Sequence, residues 1–261
     1  MPELTPVKYN KYYEPGMKDD GWYVAVSGNS PASGSAIYAT TPTGKYIYKQ
    51  TNTPVIEDVP EGTFCAMFMN TKITTIPKLY AKKFGKNAGN SMFRNCKDLA
   101  LILSAEFNIT EAGDYAFSHM FDNCDNLKFA STQEMGIEAT KLFKNLIRIG
   151  KYAFCGMFMN CIALDKLIAL PENLTFTEGA CASMYMNCVN LVGRVEYDFS
   201  NNGLGPNCFM NMFRNCTEIT VAIIKLGNVS DIKRSCCENM FMSCYKITHA
   251  MLEVLLVSKE A

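Results

Sequence analysis

Residues 153–164 read Ala153-Phe154-Cys155-Gly156-Met157-Phe158-Met159-Asn160-Cys161-Ile162-Ala163-Leu164, and their central phrase occurs seven times along the chain. The other copies are Met67-Phe68-Met69-Asn70-Thr71, Met92-Phe93-Arg94-Asn95-Cys96, Met120-Phe121-Asp122-Asn123-Cys124, Met184-Tyr185-Met186-Asn187-Cys188, Met212-Phe213-Arg214-Asn215-Cys216 and Met240-Phe241-Met242-Ser243-Cys244. Each is followed by an Ile or Leu: Ile73, Leu99, Leu127, Leu164, Leu191, Ile219 and Ile247. The motif methionines lie 25, 28, 37, 27, 28 and 28 residues apart. A recurrence of this length is the signature of a solenoid, in which each unit buries its apolar face only by stacking on its neighbours.

Within the copy at 153–164, Ala153, Phe154, Met157, Phe158, Cys161 and Leu164 form an apolar stripe at i, i+1, i+4, i+5, i+8 and i+11, which predicts a short inward-facing helix. Beyond it the period becomes two: Leu99, Leu101, Leu103 in one copy, Ile219, Val221, Ile223 in another and Leu191, Gly193, Val195, Tyr197 in a third alternate as a strand does. Each unit therefore reads as a helical turn followed by a strand. The Asn before the motif Cys suits a helix C-terminus, where a left-handed residue is needed.

The stretches Gly113-Asp114-Tyr115-Ala116-Phe117 and Ile149-Gly150-Lys151-Tyr152-Ala153-Phe154 resemble the BspA-type leucine-rich repeats of bacterial and protozoan surface proteins. The Met-Phe-x-x-Cys-x-x-Leu core is similar to the related repeat of bacterial surface lipoproteins. The resemblance spans about residues 61–250; Thr71 in place of Cys and the long fourth spacing depart from it. It implies a parallel-sheet solenoid used for adhesion or protein recognition, and it implies no catalytic residue.

Two segments fall outside the repeat. Residues 1–58 hold Trp22, seven of the thirteen tyrosines and six prolines, with Trp22–Val26, Ala36–Thr40 and Lys45–Lys49 reading as short strands between turns. This is expected to be a small β-rich cap or docking domain, and residues 59–261 a leucine-rich-repeat solenoid of about seven repeats with its own C-terminal cap. For that cap, Thr248–Val257 predicts a terminal helix or strand. The long spacing before Met157 is assigned to an insertion over Ser131–Arg148, where Met135, Ala139, Leu142, Phe143 and Leu146 predict an amphipathic helix.

Composition narrows the function. Twenty-five Lys+Arg balance twenty-five Asp+Glu, so no basic field exists to bind nucleic acid through its phosphates. No run of eighteen apolar residues is present, so no membrane span is expected, and Met1-Pro2-Glu3-Leu4-Thr5-Pro6 carries no secretory signal in the sequence as it stands. The twelve cysteines include no C-x-x-C pair, which leaves zinc-finger spacings without support. The six motif cysteines share one register, so their side chains point in parallel and are read as free, buried small hydrophobes. With only His119 and His249 available, Cys-His and Ser-His-Asp catalysis has little material, and His119 reads as an exposed helix residue. Gly203-Leu204-Gly205-Pro206-Asn207 lacks the Walker spacing and reads as a turn.

The expected fold is thus an α/β repeat solenoid: a right-handed coil with one parallel β-sheet and short helices behind a β-rich cap. Strand parity points Ile102, Lys128, Asp165, Leu167, Arg194, Glu196 and Ile224 outward as the contact set. The expected function is non-enzymatic recognition or adhesion towards a protein or glycan at a cell surface or in the extracellular space, with no cofactor. The alternative is a structural or receptor-binding component of a bacteriophage virion docked through residues 1–58.

Overall fold

The structure is a computed structural model that describes residues 4–6, 22–25, 36–40, 46–49, 58–74, 76, 78–79, 81–102, 109–129, 143, 145–171, 174–228 and 232–255. The described residues between 58 and 255 form a parallel β-solenoid of stacked coils. Before it, β1 (Leu4–Pro6), β2 (Trp22–Ala25), β3 (Ala36–Thr40) and β4 (Tyr46–Lys49) form an antiparallel sheet in the order β1-β2-β4-β3. This sheet continues into the first coil, where β3 pairs with β6 (Lys78–Leu79). Of the helix expected over 131–148, most lies outside the described residues, but Phe143 and Leu146 are buried in the core.

Strands stack in two columns where a single sheet was expected. The first holds β5 (Asp58–Val59), β7 (Lys83–Phe84), β9 (Glu111–Ala112) and β11 (Arg148–Ile149) in one parallel sheet. It continues as the pair β12 (Thr175–Phe176) and β14 (Gly203–Leu204), with Leu204 bridging to Ile232. Gly203 and Leu204, read from the sequence as part of a turn, are therefore a strand. The second column holds β8 (Leu101–Ile102) beside β10 (Lys128–Phe129), and then β13 (Gly193–Phe199), β15 (Ile219–Asn228) and β16 (His249–Leu255) side by side. β16 is the strand form of the terminal element.

The segment joining the columns in each coil is not helical. Among the described residues no helix forms; residues 151–160 and their counterparts are unbroken runs of turns. Every fourth residue is left-handed: Tyr152, Gly156 and Asn160 at φ 53°, 59° and 60°, and equivalently Gly62, Ala66 and Asn70, or Asn207, Asn211 and Asn215. A left-handed residue at every fourth position stops an α-helix from propagating. The hydrogen bonds alternate instead. Cys155, Met157, Met159 and Cys161 donate their N–H within the coil to the carbonyl three residues back. Tyr152, Phe154, Gly156, Phe158 and Asn160 donate to the next coil, at Glu178, Ala180, Ala182, Met184 and Met186. Five such bonds of 2.7–3.0 Å cross each of the six interfaces between turn runs, all from the earlier coil's N–H to the later coil's C=O. The buried backbone is satisfied without a helix.

Stacking also aligns the side chains. Phe68, Phe93, Phe121, Phe158, Tyr185, Phe213 and Phe241 form one column of rings with centroids 5.3–5.6 Å apart and planes within 11° of parallel. Such offset pairs contribute about 0.5–1.5 kcal/mol each beyond burial. Beside the rings the motif cysteines are buried, and the twelve cysteines form no disulfide. Each motif thiol also donates a hydrogen bond across the interface: Cys96 to the Phe68 carbonyl, Cys124 to Phe93, Cys161 to Phe121, Cys188 to Phe158, Cys216 to Tyr185 and Cys244 to Phe213, at 3.0–3.1 Å. The left-handed asparagines add a third column, with Asn95 Nδ2 donating to Asn70, Asn123 to Asn95, Asn187 to Asn160 and Asn215 to Asn187. Across the longest spacing the column shifts sideways, and Asn160 donates to Asp122.

Candidate functional site

The outward surface of the second column offers the best candidate interface. On β13 the buried residues are Val195, Tyr197 and Phe199, so Arg194, Glu196 and Asp198 face out. The same parity was expected on β15 but fails there. Gly193 pairs with Ile219 and Arg194 with Val221, so Thr220 is an extra residue, a bulge. A one-residue offset exchanges the two faces of a strand. Ile219 is buried before the bulge, and Ala222, Ile224 and Leu226 are buried after it. Ile224, expected in the contact set, is therefore a core residue.

The corrected face is a grid fixed by register. Arg194, Val221 and His249 form one row, Glu196, Ile223 and Met251 the next, and Asp198, Lys225 and Glu253 the third. Val221 and Ile223, on the central strand, are half-buried and Met251, on the edge strand, is 46% exposed, which makes an apolar stretch across β15 and β16. Charges flank it: Arg194 binds Glu196 through Nε and Nη2, both at 2.8 Å, and Lys225 lies 3.8 Å from Glu253. Asp198, held by the Ser200 hydroxyl and backbone N–H, has its carboxyl below the usual range. An apolar stretch flanked by charges is the anatomy of a protein-binding patch. Sequence parity located Arg194 and Glu196 but missed Val221, Ile223, His249 and Met251, because nothing in Ile219-Thr220-Val221 announces a bulge.

The remaining expected contacts are not gathered at this grid. Lys128 is exposed on β10, and the Ile102 side chain lies outside the described residues. Asp165 and Leu167 occupy 163–170, where the fourth coil forms no strand. Leu167 packs partly against the core, and Asp165 Oδ1 is buried without a hydrogen-bond partner among the described residues. That strandless segment is held by two buried tyrosines: the Tyr185 hydroxyl accepts the Ile168 N–H at 3.1 Å, and the Tyr197 hydroxyl donates to the Ile168 carbonyl at 2.8 Å. Burial raises both phenols.

On the first column, Asp58, Lys83, Glu111, Asp114 and Arg148 line an open trough of about 340 Å³. Its two cations both pair with Glu111, Lys83 at 3.2 Å and Arg148 at 3.7 Å. Among the described residues no group of three His, Cys, Asp or Glu is arranged to hold a metal ion, and no helix is long and apolar enough to cross a membrane.

His119, expected on an exposed helix face, instead sits in the turn wall with a left-handed backbone, its Nδ1 3.4 Å from the buried Asp122 carboxylate. Comparison with protein-family models, curated proteins and solved structures returns no match to this chain.

Proposed function

We propose that this protein is a non-enzymatic recognition or adhesion module that binds a protein or glycan through the outer face of β13, β15 and β16. The observation that carries the reading is the grid itself: Val221 and Ile223 stay accessible on the central strand and Met251 beside them on the edge strand, flanked by Arg194, Glu196, Lys225, His249 and Glu253. The strands below are fixed by parallel pairing and by buried Val195, Ile224 and Leu226, so binding requires little ordering of the receptor side. The resemblance to BspA-type surface repeats points the same way and favours a cell-surface or extracellular setting.

Glycan and surface-protein arrays probed with the wild type, Arg194→Glu and Ile223→Asp test this reading. The same ligands are expected to be lost from both variants at unchanged melting temperature, with a cost of about 2 kcal/mol or more at the central Ile223 if it is the anchor. Undiminished binding by both variants removes this face.

A further inference from the structure

We propose that the free edge of β16 is a docking site for an extended segment of a partner protein, which joins the sheet as a further strand. Among the described residues β16 ends the sheet β13-β15-β16, so its seven residues, His249–Leu255, run along an edge with no strand beside it. The antiparallel sheet that precedes the solenoid, by contrast, ends on β1, three residues closing on Pro6. Short strands, proline and lysine are common protections of a sheet edge. β16 is long and carries neither proline nor lysine. A head-to-tail copy is no match for it, because β1 is less than half its length.

The register shows that the core is one strand short at this edge. Inward-facing residues form rows across the sheet, and burial holds through two strands and fails at the third. Tyr197 is 8% exposed and Ile224 3%, but Leu252, next in the row, is 65% exposed. In the neighbouring row Val195 and Ala222 are buried while Ala250 is exposed. An apolar side chain on an added strand gives Leu252 the cover that Ile224 already has.

The outer face specifies the charge. Asp198, Lys225 and Glu253 form a row whose signs alternate, with Lys225 3.8 Å from Glu253. Opposite charges on directly paired residues favour strand association and like charges oppose it. The incoming segment is therefore extended, with a Lys or Arg opposite Glu253 and an apolar residue opposite Leu252. β15 has this composition: on the occupied edge its Ile224 pairs with Leu252 and its Lys225 with Glu253. A segment of the β15 kind on the free edge repeats a pairing that the molecule already makes. Main-chain hydrogen bonds supply the affinity and these two side chains the selection. Ile223, on the central strand of the outer face, takes no part.

The probe is a synthetic fluorescent peptide with the sequence of residues 219–228, titrated into the intact chain and followed by anisotropy. Saturable binding is expected. Lys225→Glu in the peptide or Glu253→Lys in the protein is expected to weaken it about three- to tenfold, and the two changes together to restore it. Leu252→Asp is expected to weaken it by a similar factor at unchanged melting temperature, since the side chain is already exposed. Ile223→Asp is expected to leave it intact, which tells failure at this edge apart from failure of the outer-face reading. No saturable binding up to about 1 mM peptide, or binding indifferent to both Glu253→Lys and Leu252→Asp, overturns the proposal. So does sedimentation of the protein alone as a dimer that Leu252→Asp dissociates, which assigns the edge to a second copy.

Discussion

Cys161 fills a gap in the core and, through its thiol, also binds the Phe121 carbonyl of the preceding coil. At the first coil no earlier turn run is present among the described residues, and the position holds Thr71, whose hydroxyl turns back to the Phe68 carbonyl of the same coil at 2.7 Å. The one exception to the motif cysteine thus has a local reason that the sequence alone did not disclose. The cysteine register was legible, since a repeated position must stack in a column; the hydrogen bond was not, because spacing does not say which atom lies above which. His119 makes a prediction at the same scale. Its pKa is about 9 when folded and near 6.5 in an unfolded chain. Its stabilising contribution is therefore complete below about pH 6.5 and is lost as pH rises through about 9. The melting temperature of the wild type is expected to fall more steeply than that of His119→Asn over this window. Taking the difference between the two cancels the alkaline loss that buried thiols impose on both.

At the scale of one element, the turn run shows why a period can be read correctly and its structure misassigned. Ala153-Phe154, Met157-Phe158 and Cys161 recur strictly every four residues, whereas an α-helix at 3.6 residues per turn drifts by about 40° for each such step. Over nine residues the two patterns bury nearly the same side chains. The discriminating signal lay elsewhere, in the Asn, Gly and Ser residues at every fourth position, such as Asn207, Asn211 and Asn215. The left-handed asparagine of the motif was legible; its recurrence twice more in each coil was not used. The run makes a sharp demand at Gly179, where φ is +59° and a Cβ would stand 2.1 Å from the Tyr152 ring. Gly179→Ala is expected to destabilise by about 1–3 kcal/mol, combining the left-handed penalty with the displaced ring. Chemical denaturation measures it; a loss below about 0.5 kcal/mol would show that the tyrosine moves freely. The Thr220 bulge is the counterpart in the sheet, a local event that redirects every residue after it and so moved Ile224 inward and Ile223 outward.

For the whole molecule, the repetition was plainly visible in the sequence, while the candidate interface depends on where it is broken, at the Thr220 bulge. Because ring, thiol and backbone columns each connect neighbouring coils only, stability should behave as a sum over interfaces. Excision of residues 207–234, one full unit, is expected to leave a cooperatively folding chain with a lower melting temperature, since Ser235 then meets the interface that Asn207 met. Loss of the cooperative transition would show that the terminal coils depend on contacts beyond their neighbours.

The uniform direction of the bonds between turn runs governs how this molecule can meet another. After the last run, the N–H groups of Ser235, Cys237, Asn239, Phe241 and Ser243 have no acceptor among the described residues, and the in-coil bonds already occupy the alternate carbonyls. An ordinary sheet edge offers donors and acceptors together and can pair with a copy of itself. This wall offers donors alone. A two-fold axis would bring the same groups face to face, so this wall is closed to symmetric pairing, and only a surface that presents acceptors in the same rhythm can extend it.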